Sequence, residues 1–254
     1  MRTVLVTNDD GIDSPGLHAL AGLALDLGLQ VLVAAPDRES SGVGASLAAV
    51  EDQGRVVVEP RAIDGLTDVL ALSVQAAPAF IVRAALHDAF GPAPDLVISG
   101  INRGPNTGHA ILHSGTVGAA MTAATYGRPA LAVSLSGEGD HWRWDTAVEV
   151  ARPVLRWLAD RREPTVLNLN VPNTDRDRVR GLRRAPLASF GAVQAKVAEV
   201  GYGYVILEYR EVDPMIEPDS DAGLLAHHWA CLTPLVPLCE AAEVDLSGLD
   251  LHVD

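Results

Sequence analysis

The stretch Thr3-Val4-Leu5-Val6-Thr7-Asn8-Asp9-Asp10-Gly11-Ile12-Asp13-Ser14-Pro15 decides how this chain folds. Residues 2–6 are apolar and β-branched enough for a buried strand. Ser14-Pro15 supplies an N-cap and a first-turn proline, so a helix is expected from there to about residue 27. A turn with two adjacent carboxylates and a glycine joins the two. The same grammar then repeats. Gly28 ends the first helix, and residues 29–35 form a second strand. Short strands are expected over 55–59 and 69–74, and a helix opened by Pro78 runs to about residue 90. A strand over 95–99, a helix over 115–126, a strand over 130–135, a helix over 145–159 and a strand over 166–171 follow. Strands and helices alternating through short connections predict a mostly parallel α/β sheet with helices on both faces.

The pattern changes after about residue 184. Residues 200–212 hold Tyr202, Tyr204, Val205, Ile206, Leu207 and Tyr209, an extended β signature beside Gly201 and Gly203. A short helix over 219–229, capped by Asp219 or Ser220, and a strand over 230–233 come next. Two regions are therefore expected: an α/β core over 1–185, and a β-rich hairpin arm and tail over 186–254. The arm either contacts another copy of the chain or folds back on its own.

Composition bounds the function. The 254 residues suffice for a substantial core, and 48% of them are hydrophobic, yet no apolar run is long enough to span a bilayer. Neither a signal peptide nor a disulfide framework is legible, since Cys231 and Cys239 are the only cysteines. A soluble, cytoplasmic protein without a membrane partner is expected. The formal net charge of −14 opposes binding of duplex nucleic acid. A small phosphate substrate is compatible with it, because a bound cation and local backbone dipoles override the distant field.

Ligands of parallel α/β sheets bind at the carboxyl ends of the strands. Three glycine-rich turns fall there: Thr7-Asn8-Asp9-Asp10-Gly11, Pro36-Asp37-Arg38-Glu39-Ser40-Ser41-Gly42, and Ser99-Gly100-Ile101-Asn102-Arg103-Gly104-Pro105-Asn106. Two carboxylates held side by side repel unless a cation lies between them, and hydroxyl and amide oxygens complete a set suited to a hard divalent ion. Asp9 and Asp10 read equally as a helix cap and a solvated acid. The loop around Ser41, Gly42 and Gly44 either approaches an anion through its N–H groups or is an ordinary mobile loop. Ser114-Gly115-Thr116 opens a helix whose first N–H groups suit an anion, with plain helix capping as the alternative. His109 and His113 are four residues apart but lie in a loop, so substrate contact or surface placement suits them better than a metal pair. The chain lacks the Gly-x-x-x-x-Gly-Lys-Ser/Thr loop, the Gly-x-Ser-x-Gly elbow and the His-Glu-x-x-His pair, and its first turn lacks Gly-x-Gly-x-x-Gly.

These segments, in this order, resemble the SurE (survival protein E) 5′/3′-nucleotidases. The similarity continues through Ser114-Gly115-Thr116-Val117-Gly118-Ala119-Ala120-Met121, Leu167-Asn168-Leu169-Asn170-Val171-Pro172, and Ser220-Asp221 to Leu232-Thr233-Pro234-Leu235. The resemblance implies a Rossmann-like core, a C-terminal arm exchanged between subunits of a homodimer or homotetramer, and hydrolysis of nucleoside 5′- or 3′-monophosphates. It implies a divalent metal (Mg²⁺, Mn²⁺ or Ca²⁺) on Asp9, Asp10, Ser41 and Asn102. Gly42, Asn106, Ser114, Gly115 and Thr116 would cradle the phosphate. The chain departs from the family pattern at Ala45 and Ala48, at Gln75-Ala76-Ala77-Pro78-Ala79-Phe80-Ile81, and at His109, positions that bear on substrate choice.

The leading expectation is metal-assisted attack of water on a phosphate monoester, with Asp9 or Asp10 taking the water proton. A metal- and phosphate-binding protein of weak or altered activity, acting as a nucleotide sensor or on another phosphomonoester or polyphosphate, stands as the alternative. An oxidoreductase on the same fold is disfavoured by the missing glycine fingerprint.

Overall fold

Val4, Leu5 and Val6 are fully buried, and their side chains alternate between two separate cores. Val4 and Val6 pack with Leu17, Leu20, Leu155 and Leu158, whereas Leu5 packs with Ile81, Val82, Val117 and Ala120. A strand buried on both faces is what a central parallel strand requires.

The computed structural model describes residues 1–137, 139–189, 193–211, 217–241 and 243. In chain order its elements are β1 (Thr3–Thr7), α1 (Pro15–Asp26), β2 (Gln30–Pro36), β3 (Glu51–Asp52), β4 (Arg55–Val56), β5 (Val58–Arg61), β6 (Leu70–Val74), α2 (Pro78–Leu86), β7 (Leu96–Arg103), α3 (Gly115–Thr125), β8 (Ala130–Ser136), α4 (Trp144–Ala159), β9 (Val166–Pro172), β10 (Leu182–Arg184), β11 (Val193–Gly201), β12 (Tyr204–Glu211), α5 (Asp221–Ala226) and β13 (Ala230–Leu235). The main sheet runs β10-β13-β9-β8-β7-β1-β2-β6-β5. From β9 across to β6 every pair is parallel, with β5 antiparallel at one margin and β13 antiparallel to β9 at the other. Helices α1 and α4 cover one face, and α2 and α3 the other. The expected α/β class and layering hold.

Several boundaries differ from expectation for local reasons. Helix α2 stops at Leu86 because Asp88 turns into the left-handed region at φ 61° and its carboxylate accepts the Ala93 N–H. Ser14 precedes α1 as expected, but its hydroxyl makes no cap bond; its carbonyl accepts the His18 N–H instead. Strand β7 runs on to Arg103, where a turn was expected from Gly100. Its register against β8 slips between Ser99 and Asn102, and Gly100 there sits at φ 130°. A Cβ on Gly100 would fall 2.2 Å from the Val133 carbonyl oxygen, so only glycine fits.

The main sheet also crosses the expected division at residues 185 and 186. Strand β13 lies between β9 and β10, and α5 packs its Leu224 and Leu225 against Ala185 and Cys231. The hairpin expected in this half is present as β11 and β12, turning at Tyr202-Gly203 and paired only with each other among the described residues. Its Val197, Val200, Tyr202, Val205 and Ile206 are exposed. The parts of the expected arm and tail at 190–192, 212–216, 242 and 244–254 lie outside the described residues.

Candidate metal and phosphate site

The turn after β1 is built to hold two carboxylates. Asn8 is buried and closes the turn on itself: its Nδ2 donates to the Gly11 carbonyl at 3.0 Å, and its Oδ1 accepts the Gly11 N–H at 3.2 Å. Gly11 adopts φ 101°, a conformation that glycine takes without a Cβ penalty. Asp9 and Asp10 lie between these anchors. The Asp9 carbonyl accepts the Ser40 N–H at 2.8 Å, which fastens the first turn to the loop after β2.

Asp9 is 5% exposed, and its carboxylate accepts the Thr116 hydroxyl. Gly115 touches it so closely that an added Cβ would lie 2.8 Å from the Asp9 Cβ and Oδ2. Burial pushes the Asp9 pKa above the ordinary range. The Thr116 hydroxyl and the main-chain N–H groups of Thr116 and Gly115 work in the opposite direction. The α3 N-terminus, with its partial positive charge, is thus turned onto Asp9. Asp10 is pushed up to about 6 by burial first and by the Asp9 charge second, with Glu39 adding to the rise and Arg103 opposing it. Its Oδ2 is buried with no hydrogen-bond partner among the described residues.

Asn102 sits at the end of β7, and its Nδ2 donates to the Gly104 carbonyl at 2.9 Å, leaving Oδ1 out of that contact. Ser41 is exposed and donates to Glu39 Oε1 at 2.8 Å, which keeps its oxygen lone pairs available. Two crowded carboxylates, one with an unpartnered oxygen, have the chemistry a hard cation takes, and Ser41 and Asn102 offer neutral hydroxyl and amide oxygens on the loop after β2 and at the end of β7. Among the described residues no group of three or more His, Cys, Asp or Glu side chains forms a metal cluster, so any fit depends on those neutral oxygens.

The expected phosphate residues divide. Ser114 caps α3, its Oγ accepting the Val117 N–H at 3.1 Å. Thr116 gives its hydroxyl to Asp9, because the first turn of α3 packs directly on that carboxylate. Gly42 is exposed at φ 78° with no atom near its Cβ position, so nothing among the described residues closes over it. Asn106 is gripped on all sides. Its N–H donates to Asn170 Oδ1, its carbonyl accepts from Asn168 and Asn170, and its Nδ2 donates to Ser134 Oγ, each at 2.8 Å. His109 and His113 are exposed on a 3₁₀ turn (Gly108–His113), where a four-residue spacing does not align side chains.

Sequence reasoning assigned no role to Ser134, Asn168 or Asn170. The signal was present, since Asn168 and Asn170 occupy alternate positions of an apolar strand and are fully buried, an arrangement that demands partners. The departures at Ala48 and Gln75-Ala76-Ala77 converge in space. The Ala77 N–H donates to the Ala48 carbonyl and the Val50 N–H to the Gln75 carbonyl, both at 2.8 Å. Together with Val43 and Ser40 these residues border an open recess of about 200 Å³.

Residues 4–193 match the family model described as survival protein SurE. The chain is 36% identical over 242 residues to the 5′-nucleotidase SurE of Brevibacillus brevis, covering 91% of this chain and 89% of that one. It is 40% identical over 184 residues to the 5′/3′-nucleotidase SurE of Serratia proteamaculans, covering 71% of this chain and 67% of that one. The crystal structure of the SurE protein from Aquifex aeolicus superposes with a TM-score of 0.79 at 30% identity, covering 96% of this chain and 97% of that one.

Proposed function

The chain belongs to the survival protein SurE family and is a nucleotidase, and we propose that it hydrolyses nucleoside 5′- or 3′-monophosphates at the Asp9–Asp10 turn with a divalent cation. One observation carries the metal reading: two adjacent, desolvated carboxylates, of which Asp10 keeps a buried oxygen without a donor among the described residues. Asp9, Asp10, Ser41 and Asn102 would hold the cation. When bound, it supplies polarisation of the phosphoryl group and a lowered pKa for water.

The chain's own groups do the rest. Thr116 and the α3 amides orient Asp9 and hold its negative charge in place. Asp10 or Asp9 takes the proton of the attacking water. Asn106 retains a second Nδ2 hydrogen beyond the one given to Ser134, and it borders the phosphate together with Ser114 and Gly42. Gly115 and Thr116 contribute through Asp9. The recess beside Ser40, lined by Ala48, Val50 and Ala76, receives the organic group of the substrate.

No helix among the described residues is long and apolar enough to cross a membrane. Cys231 and Cys239 are unpaired, which suits a cytoplasmic setting. The exposed apolar side chains of the β11–β12 hairpin fit a contact between copies of the chain, as a homodimer or homotetramer. Light scattering of Ile206→Lys beside the unaltered protein tests that contact.

The decisive assay measures phosphate release from nucleoside monophosphates with Mg²⁺, Mn²⁺ or Ca²⁺ and with a chelator. Activity that survives the chelator, or full activity in Asp9→Ala, overturns the reading. Tight binding of a nucleotide with no phosphate release over hours would favour a sensor instead.

A further inference from the structure

Asp221 is a carboxylate with no exposure to solvent, and no ion pair among the described residues reaches it. Three backbone N–H groups satisfy it. Oδ2 accepts from Gly108 at 2.9 Å, while Oδ1 accepts from Ala188 at 2.9 Å and from Ala222 at 2.8 Å. The Ala222 bond is local to α5. The other two reach distant parts of the chain, and the one to Gly108 spans 113 residues.

Anchoring α5 does not by itself call for a charge. Leu224 and Leu225 already bury against Ala185, Cys231 and Trp229, and Ser220 caps the helix through the Gly223 N–H at 3.1 Å. A neutral side chain at 221 would serve that packing. What a carboxylate adds is acceptor capacity for several N–H groups at once, at a substantial desolvation cost. That capacity is directed at Gly108, two residues beyond Asn106.

The turn that carries Asn106 is therefore held twice. Ser134, Asn168 and Asn170, on β8 and β9, hold it at residue 106. Asp221 holds it at residue 108 from the opposite end of the chain. The insertion of β13 between β9 and β10 brings α5 alongside β9 and makes the second grip possible. Gly108 takes φ 57°, so the turn has a conformation that most residues avoid and that its surroundings must maintain.

We infer that Asp221 is a positioning residue for the phosphate side of the site, a buried carboxylate that registers the 106–108 turn against the C-terminal segment. The inference rests on the reading of Asn106 as a phosphate contact. Asp221 touches no substrate; its effect passes through the Gly108 N–H to the placement of Asn106. It also makes the C-terminal segment part of the catalytic unit.

The test is calorimetric titration of inorganic phosphate into the Mn²⁺-bound protein, well below its melting temperature, for the unaltered chain, Asn106→Ala and Asp221→Asn. Asp221→Asn keeps the shape but sets an NH₂ group against one of the N–H donors. Its phosphate Kd should rise about tenfold, approaching that of Asn106→Ala, with a matching rise in KM for a nucleoside monophosphate. Its Mn²⁺ affinity should stay within about twofold, because Asp9 and Asp10 are untouched, and fractions within that range follow from the loss of one well-placed hydrogen bond. A lowered Tm with unchanged phosphate Kd and KM overturns the inference and leaves Asp221 a purely structural group. Failure of the unaltered protein to bind phosphate overturns the functional reading, and this inference with it. Should Asp221→Asn not fold, amide exchange on the unaltered protein decides: the Gly108 N–H should be protected to the same degree as Ala188 and Ala222. Fast exchange at Gly108 beside slow exchange at those two sinks the proposal.

Discussion

Asp10 and Asp221 both withdraw carboxylate oxygens from water, and burial raises the pKa of each, yet their surroundings treat them oppositely. Asp221 meets three N–H groups. Asp10 meets a second carboxylate at Asp9 and leaves one buried oxygen with no donor among the described residues. A satisfied buried acid is a clamp, because its charge is neutralised by dipoles of its own fold. An unsatisfied pair is a site, since the missing positive charge has to come from outside. Asp221 holds the 106–108 turn through the Gly108 N–H.

The largest effect should come from deleting the unsatisfied charge. Asp10→Ala is expected to lower kcat/KM by about 10³-fold or more, the scale on which loss of a central electrostatic group acts. Retention of more than a tenth of the activity would place the chemistry elsewhere. Next comes the clamp. Asp221→Ala strands the N–H groups of Gly108 and Ala188, at about 1–3 kcal/mol each, and should lower Tm by roughly 2–4 °C per kcal/mol. A calorimetric Tm equal to that of the unaltered protein would break the contrast between the two acids.

Thr116→Val keeps the shape of α3 but removes the donor on Asp9. Groups that orient a metal ligand typically account for about 10–100-fold in metal affinity, so Mn²⁺ should bind that much more weakly while the fold persists. Equal Mn²⁺ affinity would mean that Asp9 needs no orientation.

The smallest effect is the most diagnostic, because removing the Asp10 charge should raise Tm where removing that of Asp221 lowers it. Asp10 is raised to about 6 in the folded chain, against roughly 3.9 for an unperturbed aspartate. In the absence of a divalent cation, its contribution to stability is full below the unfolded value and is lost as pH rises through about 6. Asp10→Asn should therefore raise the Tm of the cation-free protein at pH 8, do so less at pH 5, and erase the Tm increase that Mn²⁺ produces. A fall in Tm at pH 8 would show that Asp10 is already satisfied within the fold.

Much of this was legible from residue types. Pro15, Gly28 and Pro78 punctuated the helices as expected, and the apolar runs at β1, β2, β8 and β9 fell within a residue or two of the observed strands. Asp9-Asp10 was legible as a candidate site because adjacent acids in a glycine turn after a buried strand have few comfortable environments. The continuation of β7 past Gly100 was not legible, since three glycine and proline residues between 100 and 105 read locally as a turn. Only the bonding to β8 beyond the register slip keeps Asn102 and Arg103 in the strand. The bond from Thr116 to Asp9 was not legible for a similar reason: a hydroxyl in the first turn of a helix suits an anion, and which anion it meets depends on what packs against that turn. Here it is Asp9.

Local propensity and periodicity determined the alternation of β and α, the two-faced core and the identity of the acidic turn, because each depends on residues close together in the chain. The pairing of β13 with β9, the grip of Asn168 and Asn170 on Asn106, and the reach of Asp221 to Gly108 were decided by tertiary structure alone. Those contacts join residues about sixty to more than a hundred positions apart, and a buried polar group finds its partner only once the sheet has brought the two together.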